Sequence, residues 1–306
     1  MALPMRSTDF RGVVEPILNK VFDSIYNQRK DQWKPLFRTE NGIPRNYHEE
    51  PVLFGFGAAP EMPEGTGINF DQGGQLFTAR TDYKVYGNGF ALTKVLVEDG
   101  EAVRIGKIYA EQLSQSLIET QETVAANIFN RAFNAAFAVG DGVAFVANNH
   151  VRVNGTYSNL LNTSAVLSQT SLEQMVIQVS KAQDFNGKFI NLETKRLVVA
   201  PENMLQAEVI TKSVLRTGGA NNDLNPVQSM GLVPDGVSVV SRLTSPTAWW
   251  VQTSAQEKRG LMMLMRRNME RSMEGDFYTD SAMYKATMRY APLVVDPKCY
   301  YGTPGT

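Results

Sequence analysis

Two histidines, His48 and His150, and one cysteine, Cys299, are the side chains of this 306-residue sequence best suited to acid–base or nucleophilic work near neutral pH. A single cysteine permits neither an intrachain disulfide nor a thiolate metal cluster. The histidines lie far apart in sequence, which leaves zinc chemistry and histidine-based catalysis little to draw on. His150 could join Asp141 and a serine in a hydrolytic constellation, but beside Asn148 and Asn149 it reads first as polar loop surface. Cys299, among Pro297, Lys298 and Tyr300, reads as a small buried hydrophobe. The adjacent carboxylates Glu49–Glu50 and Glu98–Asp99 make poor acid–base pairs, because neighbouring strand residues point to opposite faces. Trp249 and Trp250, inside a strand, read as one core ring and one semi-exposed ring.

Motif chemistry is equally sparse. No phosphate loop and no Gly-x-Ser-x-Gly elbow occurs. Gly55-Phe-Gly57-Ala-Ala-Pro60 approaches a dinucleotide fingerprint, but Pro60 stands where the third glycine belongs, so this stretch and Gly87-Asn-Gly89 read as turns. Asn154-Gly-Thr156 and Asn162-Thr-Ser164 match the glycosylation acceptor, which has meaning only in a secreted chain. The composition is soluble and globular: 43% hydrophobic, 20% charged, net charge −1. No run of about 18 apolar residues exists, and Met1–Arg6 has no apolar signal core, so neither a membrane span nor secretion is expected. A near-neutral chain argues against a dedicated nucleic-acid-binding surface.

The elements then divide the chain. Val13, Ile17, Val21, Phe22 and Ile25 predict an amphipathic helix, set among Pro35, Pro44 and Pro51. This is either an extended arm or the first layer of an ordinary domain. Val52, Phe54 and Phe56 alternate as a strand, followed by the Gly/Pro-rich stretch 57–67. Phe77, Ala79, Thr81, Tyr83 and Val85 share one face of the next strand, and Phe90 to Val97 forms another. Two strands around such a tip predict a protruding hairpin, which is barely stable alone and needs something to lie on.

After the Asp99–Gly100 break, Glu101 to Phe137 reads as one helix of about 55 Å. Its apolar stripe is Ile105, Tyr109, Leu113, Leu117, Val124, Ile128 and Phe133. Its polar face carries Gln112, Ser116, Thr120, Gln121 and Asn127, which suits partial burial. An α+β region runs from Asp141 to about Thr253. It holds a capping box at Thr170–Glu173, a helix bearing Leu172, Met175, Val176 and Val179, and a strand at Arg196–Ala200. Beyond these come a helix opened by Pro201, a polar loop at 216–226, and strands at 236–240 and 248–251.

A long strand pair follows, with a turn before Asp280 and with Ala282, Tyr284, Ala286, Met288 and Tyr290 on one face. Seven of the thirteen methionines (Met262, Met263, Met265, Met269, Met273, Met283, Met288) fall here, either as adaptable packing surface or as core filler. Lys258, Arg259, Arg266, Arg267 and Arg271 alternate with Glu257, Glu270, Glu274 and Asp276. This mixture reads as inter-subunit salt bridges or as a solvated turn.

In this order the elements resemble the major capsid protein of tailed bacteriophages, the Hong Kong ninety-seven fold. The matching segments are Glu101–Phe137 as the spine helix, Leu53–Val97 as the extended loop, Leu197–Ala207 as the axial strand-to-helix step, and Arg289–Gly302 as the closing segment. The resemblance implies an α+β chain. An N-terminal arm would span 1–50, an extended loop 51–98 and the spine-helix part of a peripheral domain 99–139. An axial domain would follow over 140–253, the peripheral strand pair over 254–291 and a return to the axial domain over 292–306.

It also implies a non-catalytic subunit with no cofactor or metal. Pentamers and hexamers would form an icosahedral shell around double-stranded DNA, as a virion capsid assembled in the host cytoplasm. Expected partners are further copies of the chain, a separate scaffolding protein, a portal and decoration proteins, with no membrane. Expected inter-subunit contacts are Phe54, Phe56, Phe77 and Tyr83 on the loop, and Arg266, Arg267, Arg271, Glu270 and Glu274 on the strand pair. Some members of the family cross-link a loop lysine to a neighbour's asparagine. Residues 55–75 hold no lysine here, which predicts a non-covalent shell. The alternatives are an encapsulin-type nanocompartment shell with a protein cargo and, in another class, a metal-independent hydrolase.

Overall fold

The computed structural model describes residues 7–28, 30–42, 44–93, 95–96, 101–216, 223–276 and 281–305, with side chains from residue 14 onward. The expectations for the side chain of Val13, for Val97, the Glu98–Asp99 pair and the Asp99–Gly100 break lie outside these residues. So do those for the tip of the 216–226 loop and the turn at 277–280.

Helix α1 (Ser7–Gln28) turns Val14, Leu18 and Phe22 inward, a stripe one residue off Val13–Ile17–Val21 with Phe22 common to both. It lies against α2 (Ala102–Asn130), and Gly106 sets how closely. A Cβ at Gly106 would stand 3.2 Å from Leu18 Cδ2 and 3.3 Å from Leu92 Cδ1. The buried stripe of α2 is made of small residues and a few large ones: Gly106, Ala110, Leu113, Leu117, Ala125, Ala126 and Phe129. Tyr109, expected inside, is 41% exposed.

The sequence predicts α2 to continue to Phe137, but it stops at Asn130. The Asn130 side chain accepts from Thr244 N (2.9 Å) and donates to Arg242 O (3.0 Å). Asn134 then caps a separate 3-10 turn at Ala135–Phe137. Asparagine side chains that bond nearby backbone compete with helix continuation.

Two four-stranded sheets flank this helix. The first has the order β1 (Arg38–Asn41), β10 (Leu261–Asp276), β11 (Ser281–Val294), β4 (Lys84–Thr93), with β1–β10 parallel and the rest antiparallel. The second has the order β12 (Tyr300–Thr303), β9 (Trp249–Thr253), β7 (Thr194–Val199), β8 (Val237–Val239), with only β7–β8 parallel. Two two-stranded pieces complete the strands: β2 (Tyr47–Phe54) with β3 (Gly74–Asp82), and β5 (His150–Val151) with β6 (Thr156–Tyr157). Helices α3 (Gln169–Ser180) and α4 (Met204–Lys212) cover the outer face of the second sheet, burying Leu172, Met175, Val179, Ala207 and Ile210. The capping box of α3 sits earlier than expected, at Ser168 and Ser171, because Ser171 Oγ rather than the Glu173 carboxylate accepts the cap N–H.

The second sheet is covered on both faces, which corrects the reading of the tryptophan pair. Trp249 packs under α3 and α4, and Trp250 packs on the opposite face against Phe129 and Phe133. Both are 1% exposed or less. The methionines resolve toward core filling: Met262, Met263, Met273 and Met288 are buried, and of the seven only Met283 is strongly exposed.

A polar staple joins three elements. Glu122, buried on α2, accepts from Gln32 N (2.6 Å), while Gln32 Oε1 accepts from Ser241 N and Arg242 Nη1 (3.1 Å each). Arg242 forks onto Glu119 with bonds of 2.7 and 2.5 Å, and these raise its pKa. The sequence assigns Gln121 to the polar face, yet it is 3% exposed, its Oε1 accepting from the Tyr26 hydroxyl (3.5 Å).

Phe129→Ala should cost about 3–5 kcal/mol in denaturant unfolding, because its cavity opens between the two sheets and cannot collapse. A loss under about 1 kcal/mol would show that the sheets do not depend on this ring.

Candidate assembly interface

The hairpin β2–β3 pairs from Tyr47↔Asp82 to Phe54↔Gly74, with an irregularity at Val52/Leu53. Strand β3 does not run on through Val85 as the alternation predicts. At Tyr83 the chain changes sheets: Tyr83 N donates to Asn46 O (3.1 Å), and Lys84 opens β4 opposite Tyr290. The Tyr83 ring is buried at this corner beside Met262 and Leu264.

The four aromatics predicted for inter-subunit contact therefore separate. Tyr83 is interior, Phe54 is half-buried at the end of β2, and Phe77 packs edge-on against Phe185 (6.3 Å). Phe56 lies on the tip, 62% exposed. The tip, residues 55–73, carries no helix or strand. It exposes Phe56, Met62, Ile68 and Phe70, the last at 90%. Its acidic side chains are Glu61, Glu64 and Asp71, with Asp71 accepting from Gly57 N.

The hairpin is fastened to the body along its strands and at the start of the tip. Asn186 Nδ2 donates to Gly55 O (2.6 Å). Gly140 passes so close that a Cβ would stand 2.8 Å from Ala79 Cα. Behind Phe77, the Phe185 ring meets the ammonium of Lys298 at 3.2 Å from the ring centroid, and Tyr157 meets it at 4.5 Å. Lys298 is 2% exposed; burial lowers its pKa, while Asp296 at 3.7 Å pulls it back up.

Tyr157 in turn stacks on His150 at 5.1 Å. His150, read from the sequence as loop surface, is fully buried. Its Nδ1 lies 2.6 Å from Asp141 Oδ2 and its Nε2 lies 3.0 Å from Asn159 Oδ1. The hydrolytic constellation needs a hydroxyl at Nε2, and that position is taken by an amide. Asn159 is fixed by donating to Phe145 O, Pro297 O and Tyr300 O and accepting from Ala147 N. Phe185, Lys298 and Asn159 escaped sequence reading, since their roles arise only where the 140–160 loops meet the C-terminal turn. Cys299 is buried, as expected, and burial raises its thiol pKa.

The charged strand pair spends much of its charge within the chain. Arg271 binds Asp23 (2.5 Å) and Asn19 O (3.1 Å), tying β10 to α1. Arg267 binds Glu270 (3.4 Å) and Thr287 Oγ1 (3.0 Å), and Arg266 lies 5.8 Å from the Tyr83 ring centroid. Arg259 pairs with Glu50 (3.6 Å) and Glu257 with Lys195 (3.8 Å). Glu270 and Glu274 face outward. Among the described residues no three His, Cys, Asp or Glu side chains group to hold a metal, and no helix is long and apolar enough to cross a membrane.

The described residues thus form two sheets about one long helix, with an apolar finger that stays exposed. Residues 78–302 match the family described as phage capsid protein, and the chain belongs to that family. Solved structures share the fold at low identity. The capsid of cyanophage P-SCSP1u is 12% identical, covers 88% of this chain and 86% of its own, and has a TM-score of 0.51. A phage-related protein from Bordetella bronchiseptica RB50 is 13% identical over 96% of this chain and 98% of its own, with a TM-score of 0.53. A virus-like particle from Pyrococcus furiosus is 10% identical over 94% and 98%, with a TM-score of 0.52. No curated protein sequence matches.

Burial raises the pKa of Tyr157 well above the ordinary phenol value and that of Tyr284 to about 12. A phenol whose folded pKa is raised stabilises the fold fully below its unfolded pKa and loses that contribution as pH rises through the folded value. Stability should therefore hold to pH 10 and fall from there toward about 12. Tyrosinate absorbance at these buried rings should appear together with unfolding, and titration in the folded protein near pH 10 would contradict their burial.

Proposed function

We infer that this chain is the major head protein of a tailed bacteriophage. Its copies assemble as pentamers and hexamers into an icosahedral shell that encloses double-stranded DNA. The observation that carries this reading is the finger at 55–73. A monomer gains nothing by holding Phe56, Met62, Ile68 and Phe70 in water, whereas a neighbouring subunit can bury them. On this reading the peripheral domain comprises 99–139 with 254–291, and the axial domain 140–253 with 292–306. Glu274 is an exposed charge of the strand pair open to a neighbour, whereas Glu270 already pairs with Arg267. Confined DNA needs no sequence-specific surface, and a chain of net charge −1 does not trap DNA on its outside. Scaffolding, portal and decoration proteins are the further partners of such a shell in the virion.

A second reading, a compartment around a protein cargo, is favoured by the likeness to the Pyrococcus furiosus particle over 94% of the chain. Nuclease-protected DNA in purified particles supports the head protein, and a co-purifying enzyme supports the compartment.

Electron microscopy after expression should show homogeneous shells, and a stable monomer would overturn both readings. The double variant Phe56→Ser/Phe70→Ser should keep its unfolding midpoint, since exposed positions change stability by about 0.5 kcal/mol or less, yet lose shells. Boiling in detergent should give a single band, because residues 55–75 hold no lysine. A ladder of multimers would contradict the non-covalent shell.

A further inference from the structure

The sequence holds four Asn–Gly steps, at Asn41, Asn88, Asn154 and Asn186. Such a step can close on itself in water. The glycine nitrogen attacks the asparagine Cγ, an N–Cγ bond forms, the Cγ–Nδ2 bond breaks, and ammonia leaves with the amide proton. Water then opens the cyclic imide at one of its two carbonyls. One opening gives aspartate. The other gives isoaspartate, in which the chain runs through the side-chain carboxyl and the α-carboxylate is free. Glycine permits the attack because it has no Cβ to shield its N–H. The reaction consumes only water, but it needs an unbonded glycine nitrogen and a backbone free to rotate toward Cγ.

The fold withholds these conditions from three of the four steps. Asn41 pairs on β1 opposite Met265, and Gly42 N donates to Met265 O (2.9 Å). Asn88 and Gly89 sit inside β4, paired with Ala286 and Lys285 of β11. Asn88 Nδ2 donates to Ser116 Oγ (3.3 Å), and a Cβ at Gly89 would stand 2.7 Å from Tyr284 O. At the third, Asn186 Nδ2 donates to Gly55 O (2.6 Å) and Gly187 N to Asp184 O (3.2 Å), so both the leaving group and the nucleophile are held.

Asn154 is different. It lies at the exposed tip of the β5–β6 hairpin, in the stretch Asn154-Gly-Thr156 that matches a glycosylation acceptor. The turn is tied just before it, by Arg152 N on Gly155 O and Val153 N on Phe185 O (3.1 Å each). Among the described residues neither Gly155 N nor the Asn154 side chain has a hydrogen-bond partner. A Cβ at Gly155 would meet nothing within 4 Å, so the imide and the water that opens it have room. We propose that Asn154 is a self-modification site, converted through the Gly155 imide to aspartate and isoaspartate while the other three steps stay intact. Each event adds one carboxylate to a chain of net charge −1. It does so at the tip of the hairpin whose strands carry His150 and Tyr157 into the interior.

The test holds purified full-length protein in mildly alkaline buffer made with heavy-oxygen water and maps the label by tandem mass spectrometry of its peptides. Residue 154 should take up the label first. The other three steps should be about tenfold slower, the effect of one net hydrogen bond that must open before attack. In denaturant the four rates should converge, which assigns the difference to the fold rather than to the local sequence. Isoelectric focusing should show an acidic form that grows with time and that grows about tenfold more slowly in Asn154→Gln. Asn154 is exposed and unbonded, so that variant keeps its fold. Faster labelling at Asn41, Asn88 or Asn186 overturns the proposal. So do four equal rates in the folded protein, no label in the folded protein, or an acidic form that grows as fast in Asn154→Gln. The label is read residue by residue, so the outcome does not depend on the shell reading above.

Discussion

The structure depends on one ring. Phe129, near the end of α2, meets Phe37 of the N-terminal segment at 6.3 Å, Phe145 at 6.4 Å, Trp250 of β9 at 5.5 Å and Tyr300 of β12 at 5.2 Å. Four parts of the chain are held by aromatic contacts to a single side chain, edge-on for Phe37, Trp250 and Tyr300 and tilted for Phe145, and each such contact adds about 0.5–1.5 kcal/mol beyond the area it buries. The helix is what makes this possible. It carries Gly106 against α1 and Leu92 of β4 near one end and Phe129 against the second sheet near the other, so one element touches both sheets.

The finger obeys the opposite rule. Phe77, Gly140 and Asn186 fasten its strands as far as Gly55, and among the described residues Phe56, Met62, Ile68 and Phe70 beyond that point stay exposed. A Gly/Pro-rich tip with large exposed rings is poor design for a monomer and sound design for a part whose partner arrives later. The same contrast explains the charges of the strand pair. Arg271 and Arg267 hold α1 and β11 within the subunit, and Glu270 is taken by Arg267.

Much of this was legible in the sequence, and the exceptions have physical causes. The hairpin, the long helix and the strand pair follow from periodicity, because each has one wet face and one dry face. The order of elements carries the family. Boundaries failed where a side chain bonded backbone, as at Asn130 and Asn134, or where a strand changed partners, as at Tyr83. Faces failed where both sides of an element were covered: Trp250 and Gln121 are both interior because a second layer lies over them. His150 failed for a related reason. Its neighbours Asn148 and Asn149 signal a loop, and nothing local announces that the C-terminal turn closes over it.

Polar groups of this kind gather at two seams. Glu122 and Arg242 sit where the N-terminal segment meets α2, and Asn159 and Lys298 sit where the central loops meet the C-terminal turn. Apolar contact is non-directional and tolerates sliding. A buried amide that must reach three carbonyls does not, since a shifted seam leaves each group unpaired at about 1–3 kcal/mol. The polar seams therefore select one alignment from the many that the hydrophobic core would accept. A subunit that must present the same edges to every neighbour needs that alignment more than it needs added stability, because an error in one seam would be repeated at every contact the subunit makes.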